Sequence, residues 1–235
     1  AYREDGAKLV KVLLTTSGAT IREKGTEGSN CGQAPAIVPG QVFSVSENAP
    51  DNSSVGNVLA TDPDTDAEFQ NWKINGGSGA DIFAIDASTG ELTVKDSSLL
   101  DFESSTQSYE LILTVTDGYF KSAPDTVIIN VTNANDIAPI VNPAAFDASE
   151  STTAGQVIGT ASATDADDAS QPGSAVFHDW TITGGTGASM FTINDSTGEI
   201  AVNATLDFET VTSYTLNVTV SDGVNTSEET TIVIN

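Results

Sequence analysis

The sequence predicts an all-β chain of two tandem β-sandwiches, and three observations carry that expectation. Apolar residues alternate with polar ones at a period of two in the longer apolar stretches. Gly, Asp, Asn and Ser turns punctuate the β-rich runs every eight to twelve residues or so, the spacing of a sandwich. Finally, what occurs between residues 36 and 135 occurs again about 103 to 108 residues later. At 235 residues the chain fits two domains, each large enough for its own core.

The elements follow in order. Residues 1–35 stand outside the repeat and are left unassigned; Leu9 to Leu14 could form a strand or a short helix, and Gly25 to Gly32 reads as loop. Trp72 shares a strand face with Ile74, and Trp180 with Ile182, which makes both tryptophans core residues. Ser88-Thr89-Gly90 and Ser196-Thr197-Gly198 read as hairpin turns, with glycine supplying the positive φ. Tyr109, Leu111, Leu113 and Val115 form one apolar face, repeated as Tyr214, Leu216, Val218 and Val220. Val127, Ile129 and Val131 form another, matched by Ile232 and Ile234. The join runs from Val131 to Pro139, short, polar and stiffened by its proline. Boundaries are therefore set at 1–35, 36–136 and 137–235.

Charge excludes several functions. Residues 1–35 carry five basic and four acidic groups, while residues 36–235 carry three and 29, giving a net charge of -25. Such a surface repels nucleic acid and anionic membranes and attracts divalent cations. Cys31 is the single cysteine, so no internal disulfide forms. No apolar run reaches membrane-helix length, so no membrane insertion is expected of this segment. The start lacks a signal-peptide core and the end falls within a strand pattern at Ile232-Val233-Ile234-Asn235, as expected of a piece of a longer protein.

What repeats best is carboxylate placement. Copy one offers Glu47, Asp62, Asp64, Asp101, Glu103 and Asp117; copy two offers Glu150, Asp165, Asp167, Asp207, Glu209 and Asp222. Scattered acids that merely keep a surface soluble would not recur in register. Phe102 and Phe208, lodged between acids, are expected to anchor in the core and aim their neighbours outward.

These motifs resemble cadherin repeats. Ala60-Thr61-Asp62-Pro63-Asp64, Leu100-Asp101-Phe102-Glu103, Val115-Thr116-Asp117-Gly118 and the linker Asn133-Ala134-Asn135-Asp136-Ile137-Ala138-Pro139 stand in the family's order over about 200 residues. The turns, rich in Thr, Asn and Ser, are similar to those of bacterial cadherin-like tandem domains. The resemblance implies Greek-key sandwiches of about seven strands each. It also implies calcium ions that lock consecutive repeats into a rod. Carried over by motif, the metal ligands are Glu47, Asp101 and Glu103 from copy one and Asn135, Asp136 and the carbonyls of Ala134 and Ile137 from the linker. Copy two would add Asp165, Asp167 and Asp222. Calcium, a hard cation, takes about six to eight oxygen ligands, which suits this set. Two unit charges 4 Å apart repel by roughly 4 kcal/mol at an effective dielectric near 20, so without cations the junction is expected to loosen and with them to stiffen.

The chain departs from the family pattern at three places. Asn133 replaces an Asp, Ile137 an Asn, and Ser29 to Pro35 brings no acid at the matching position before copy one. Asp62, Asp64 and Asp117 are thus expected to lack a complete site, and Glu150, Asp207 and Glu209 face a linker outside this sequence. Copy two has a longer loop from Asp168 to His178.

Catalysis has little support. His178, the single histidine, reads as a solvated loop residue, and calcium ligation already accounts for the paired carboxylates. The expected function is a calcium-stiffened spacer or adhesive element of a secreted or cell-surface bacterial protein, with another cadherin-like copy as a candidate partner. The alternative is a calcium-dependent carbohydrate-binding module using polysaccharide, for which Tyr119 and Phe120 are the exposed aromatic candidates. No N-terminal tryptophan arm for strand exchange is present.

Overall fold

The computed structural model describes residues 32–64, 67–104, 106–167 and 176–235. Cys31, the Leu9–Leu14 stretch and most of the loop before His178 lie outside the described residues. Copy one comprises β1 (Ala36–Ile37), β2 (Val42–Ser46), β3 (Ser54–Asn57), β4 (Ala60–Thr61), β5 (Gln70–Gly76), β6 (Phe83–Ile85), β7 (Glu91–Val94), β8 (Ser108–Thr116) and β9 (Asp125–Thr132). Copy two repeats them as β10 (Ile140–Val141), β11 (Ala145–Phe146), β12 (Val157–Thr160), β13 (Ala163–Thr164), β14 (His178–Gly184), β15 (Phe191–Ile193), β16 (Glu199–Val202), β17 (Tyr214–Ser221) and β18 (Thr230–Ile234).

Each copy is a sandwich of a four-stranded sheet, β2-β9-β8-β5 or β11-β18-β17-β14, over a three-stranded one, β3-β7-β6 or β12-β16-β15. Short pairs β1-β4 and β10-β13 complete each domain. Nine segments stand where about seven strands were expected, because two strands of each copy are interrupted. In copy one Pro39-Gly40 parts β1 from β2, and β1 then pairs with β4 while β2 runs parallel to β9. The Gln41 amide bridges these interruptions. It donates to the carbonyls of Val38 and Leu59 at 2.8 and 3.0 Å and accepts the Leu59 N–H at 2.8 Å. Backbone groups freed by the breaks thereby keep partners.

The cores follow the alternation. Leu111, Leu113, Val115, Val127 and Ile129 are fully buried, as are Leu216, Val218, Val220 and Ile232. Trp72 and Trp180 are each only 5% exposed, in separate cores. Each tryptophan follows a left-handed residue, Asn71 at φ 54° and Asp179 at φ 55°, where the strand bulges against its neighbour. Gly90 and Gly198, at φ 75° and 70°, close the β6–β7 and β15–β16 hairpins beneath those rings. Ser122 and Ser227, buried at equivalent places, accept the N–H of Val115 and Val220, both at 3.0 Å. These strands carry the acidic loops to the two poles of each sandwich.

One core anchor does not hold. Phe102 packs against its core, but Phe208 is 56% exposed. The Phe102 N–H is clamped by Glu47 at 2.6 Å, whereas Phe208 reaches exposed Glu150 at only 3.4 Å. The carboxylate seat of the first loop is completed by the linker N–H of Ala134.

Candidate metal centre at the repeat junction

The linker between β9 and β10 meets loops from both copies. Glu47, 6% exposed, follows β2 and accepts two backbone N–H groups, from Phe102 at 2.6 Å and from Ala134 at 2.7 Å. It ties the acidic loop of copy one to the linker. From the other side, Asp167 accepts the N–H groups of Asp136 and Ile137 at 3.1 and 3.0 Å. Linker backbone therefore threads between carboxylates of both repeats.

Carboxylates collect around it in sequence. One oxygen from each of Glu47, Asp101 and Glu103 lies within 4.8 Å of the others, and so does one from each of Glu103, Asp136 and Asp167. Glu103 belongs to both groups and joins them. Asp165 lies close enough to Asp222 at the copy-two edge of the cluster to feel its charge. All seven carboxylates expected at this junction thus form one continuous acidic seam. Of the expected carbonyl ligands, that of Ile137 accepts the side-chain amide of Asn225 at 3.3 Å.

Several of these acids share one construction. Asp165 Oδ1 accepts the Asp167 N–H at 3.0 Å, and Asp222 Oδ1 accepts the N–H groups of Val224 and Asn225, both at 2.7 Å. Those bonds fix each side chain to its own loop. The second oxygen, Oδ2 of Asp165 and of Asp222, is buried with no donor among the described residues, as is Oε1 of Glu103. A buried anionic oxygen without a donor is expensive, and a cation is the simplest group that satisfies several at once. The residues present fit calcium, which binds oxygen alone and accepts irregular geometry.

Electrostatics agree. Burial, then repulsion from Glu47 and Asp167, pushes the Glu103 carboxyl up to about 7. Burial followed by the charges of Glu47 and Asp167 also raises Asp136, and burial raises Asp165 with help from Asp167 and Asp222. Burial would raise Asp222 too, but N–H donation from Asn225 and Val224 outweighs it and holds that carboxyl below the usual range.

The first pole of copy one is built alike. One oxygen each of Asp62, Asp64 and Asp117 lies within 4.8 Å of the others, and Asp62 Oδ2 and Asp64 Oδ1 are buried with no donor among the described residues. Gln33 donates its N–H to Asp64 at 3.1 Å, as Asp136 does to Asp167. By the shared Ala-Pro, Gln33 matches Ile137, whose N–H also goes to Asp167, and Gly32 stands where the junction has Asp136. At the far pole Glu150, Asp207 and Glu209 are all exposed. His178 is half-exposed and pairs its Nδ1 with Asp179 at 2.9 Å.

Two asparagines add to the site: Asn133, read from the sequence only as a departure from the linker pattern, and Asn225, which that reading missed. Asn133 donates its amide to the Asp167 carbonyl at 2.6 Å, and Asn225 donates to Asn135 Oδ1 at 3.0 Å as well as to Ile137. Asn225 carried no repeat signal, because Phe120 occupies its place in copy one.

Fold and site together define a tandem-repeat module with acidic inter-repeat seams. The cadherin domain profile matches residues 41–132 and 144–235, and the chain belongs to the cadherin family. It is 36% identical over 188 residues to the Drosophila melanogaster Protocadherin-like wing polarity protein stan, which covers 78% of this chain and 5% of that protein. It is 34% identical over 196 residues to human Protocadherin Fat 1, which covers 81% of this chain and 4% of that protein. The chain therefore spans only a small share of these curated relatives. Among solved structures, mouse Protocadherin-24 EC1-3 superposes with a TM-score of 0.68 at 22% identity, over 86% of this chain and 70% of that one. The human Desmocollin-1 ectodomain gives a TM-score of 0.64 at 25% identity, over 86% and 41%.

Proposed function

We propose that this chain is a calcium-binding spacer or adhesive segment of a secreted or cell-surface protein, stiffened by metal at its middle junction. Glu47, Asp101, Glu103, Asn135, Asp136, Asp165, Asp167 and Asp222, with the carbonyls of Ala134 and Ile137, would hold the ions. The observation that carries this reading is the set of acids with one oxygen pinned to backbone and the other buried without a donor. Bound calcium would neutralise the seam and tie two repeats and their linker to common ions. Asp62, Asp64 and Asp117 would form a weaker half-site at the opposite pole of copy one. Extracellular placement rests on family membership and on the ectodomain fold it shares. Among the described residues no helix is long and apolar enough to cross a membrane. A bacterial source is part of the proposal and rests on the turn composition, the relatives named above being animal proteins. The role assigned is binding, not catalysis.

The test is calorimetric and thermal. Asp136→Ala and Glu103→Ala are each expected to weaken calcium binding and to shrink the calcium-induced rise in melting temperature. Calcium titrations of both variants that match the parent protein in affinity and in melting temperature would refute the assignment.

Carbohydrate binding is the second reading, and one observation favours it. Tyr119 is 87% exposed at the β8–β9 turn, with Phe120 half-exposed beside it. Retention on a panel of polysaccharide resins, with and without chelator, decides it; passage through every resin removes it.

A further inference from the structure

Seven carboxylates along one seam would drive the repeats apart whenever calcium is withdrawn. The structure holds a second connection that owes nothing to charge. Asn133, in the linker, donates its side-chain amide to the backbone carbonyl of Asp167 in copy two at 2.6 Å. Asn225, on the β17–β18 turn of copy two, reaches the linker from the other side. Its Nδ2 donates to Asn135 Oδ1 at 3.0 Å and to the Ile137 carbonyl at 3.3 Å. Its own backbone N–H is anchored on Asp222 at 2.7 Å, which fixes the turn that presents it. The linker is thus gripped on two flanks by neutral amides, 92 residues apart in sequence.

The two positions are informative by their departures. Asn133 stands where the resembled linker pattern has an Asp, so a carboxylate has been exchanged for a donor. At the equivalent of Asn225 copy one carries Phe120, which packs instead over Gly32. The amide pair is therefore not a by-product of the repeated framework. An amide adds no charge to a seam already crowded with negative groups, and its bonds are weakened neither by chelator nor, to first order, by salt.

We propose that Asn133 and Asn225 are positioning residues that form a calcium-independent clasp. The clasp holds copy two in register with the linker when metal is absent and presents Asn135 and the Ile137 carbonyl in place for metal when it returns. This deepens the calcium reading and rests on it only for the second half of that statement. A metal site whose ligands are pre-positioned loses affinity when its outer supports are cut, by about tenfold at the lower end. The exchange of Asp for Asn at 133 then has a meaning. It puts an amide donor on the Asp167 carbonyl where the resembled linker pattern has a carboxylate.

Residual dipolar couplings on the whole chain test it, with the parent protein compared with Asn225→Leu, Asn133→Asp and the double variant. In EDTA the repeats of the parent are expected to be looser than with calcium yet to keep partly correlated alignment. Asn225→Leu and Asn133→Asp are each expected to loosen that coupling, and the double variant to abolish it. With calcium, Asn225→Leu is expected to bind about tenfold more weakly. Asn133→Asp, which supplies a carboxylate, is expected to bind at least as tightly as the parent. That divergence between the two variants is not what a general loss of packing would give. Unchanged amide spectra within each repeat verify that both domains are folded. Uncorrelated alignment of the two repeats in the EDTA form of the parent, or variants indistinguishable from it, would overturn the clasp. A parent protein that binds no calcium while keeping correlated alignment in EDTA would sink the calcium reading and leave the clasp standing.

Discussion

Glu103 concentrates the physics of the junction in one side chain. It touches both acidic groups of the seam, and one of its oxygens is buried without a donor. Substitution with glutamine should therefore act in opposite directions with and without metal. In EDTA, Glu103→Gln is expected to raise the melting temperature at pH 8, because a buried charge facing Glu47 and Asp167 has gone. With calcium the same variant is expected to show a smaller melting shift than the parent, because a ligand has gone. Differential scanning fluorimetry under the two conditions checks both signs. The parent should also respond to pH. Its folded metal-free form keeps the Glu103 proton up to about 7, while the unfolded chain releases it near 4.5. Across that window the folded state binds more protons, so metal-free stability is expected to fall as pH rises from 4.5 to 7 and to level above. Calcium affinity should run the other way, strengthening through neutrality as the competing proton leaves. Denaturant melts in EDTA, and calcium titrations at pH 6 and pH 8, measure the two trends.

At the scale of elements, the strands were legible and their interruptions were not. Tyr109 to Val115 and Tyr214 to Val220 announced β8 and β17 by alternation alone, since a half-buried pleat must place every second side chain inside. The division of the first strand into β1 and β2 depends on which sheet each half joins, a long-range matter that alternation cannot carry. The acidic loops were legible because they occur twice. Asn225 was hidden for the converse reason, its partner position being Phe120, and Phe208 misled because a matching sequence does not carry the linker contact that completes the Phe102 seat. One element-level constraint emerges only from coordinates. Gly77, after β5, has φ 105°, and a Cβ there would lie 2.1 Å from the Glu110 carbonyl oxygen. Gly185 repeats this at φ 102° against Thr215, at 2.2 Å. Gly77→Ala is expected to cost at least about 2 kcal/mol, combining a disfavoured backbone conformation with displacement of β8. Urea denaturation of copy one measures it, and a loss below about 0.5 kcal/mol, the range of neutral surface changes, would contradict the geometry.

Over the whole molecule, each repeat receives the chain at one pole and releases it at the other. In copy one the entering strand β2 lies parallel to the leaving strand β9, with five residue pairs from Val42↔Ile128 to Ser46↔Thr132. In copy two the matching β11 and β18 lie parallel in the same register, Ala145↔Val233 and Phe146↔Ile234. If the two ends of the chain were pulled, adjacent parallel strands would slide along each other, and every cross-link between them would bear load together instead of opening one at a time. Resistance to pulling is a matter of how fast the loaded state gives way. Each sandwich should then resist pulling as a unit, and a single-molecule trace should show a separate force peak for each repeat.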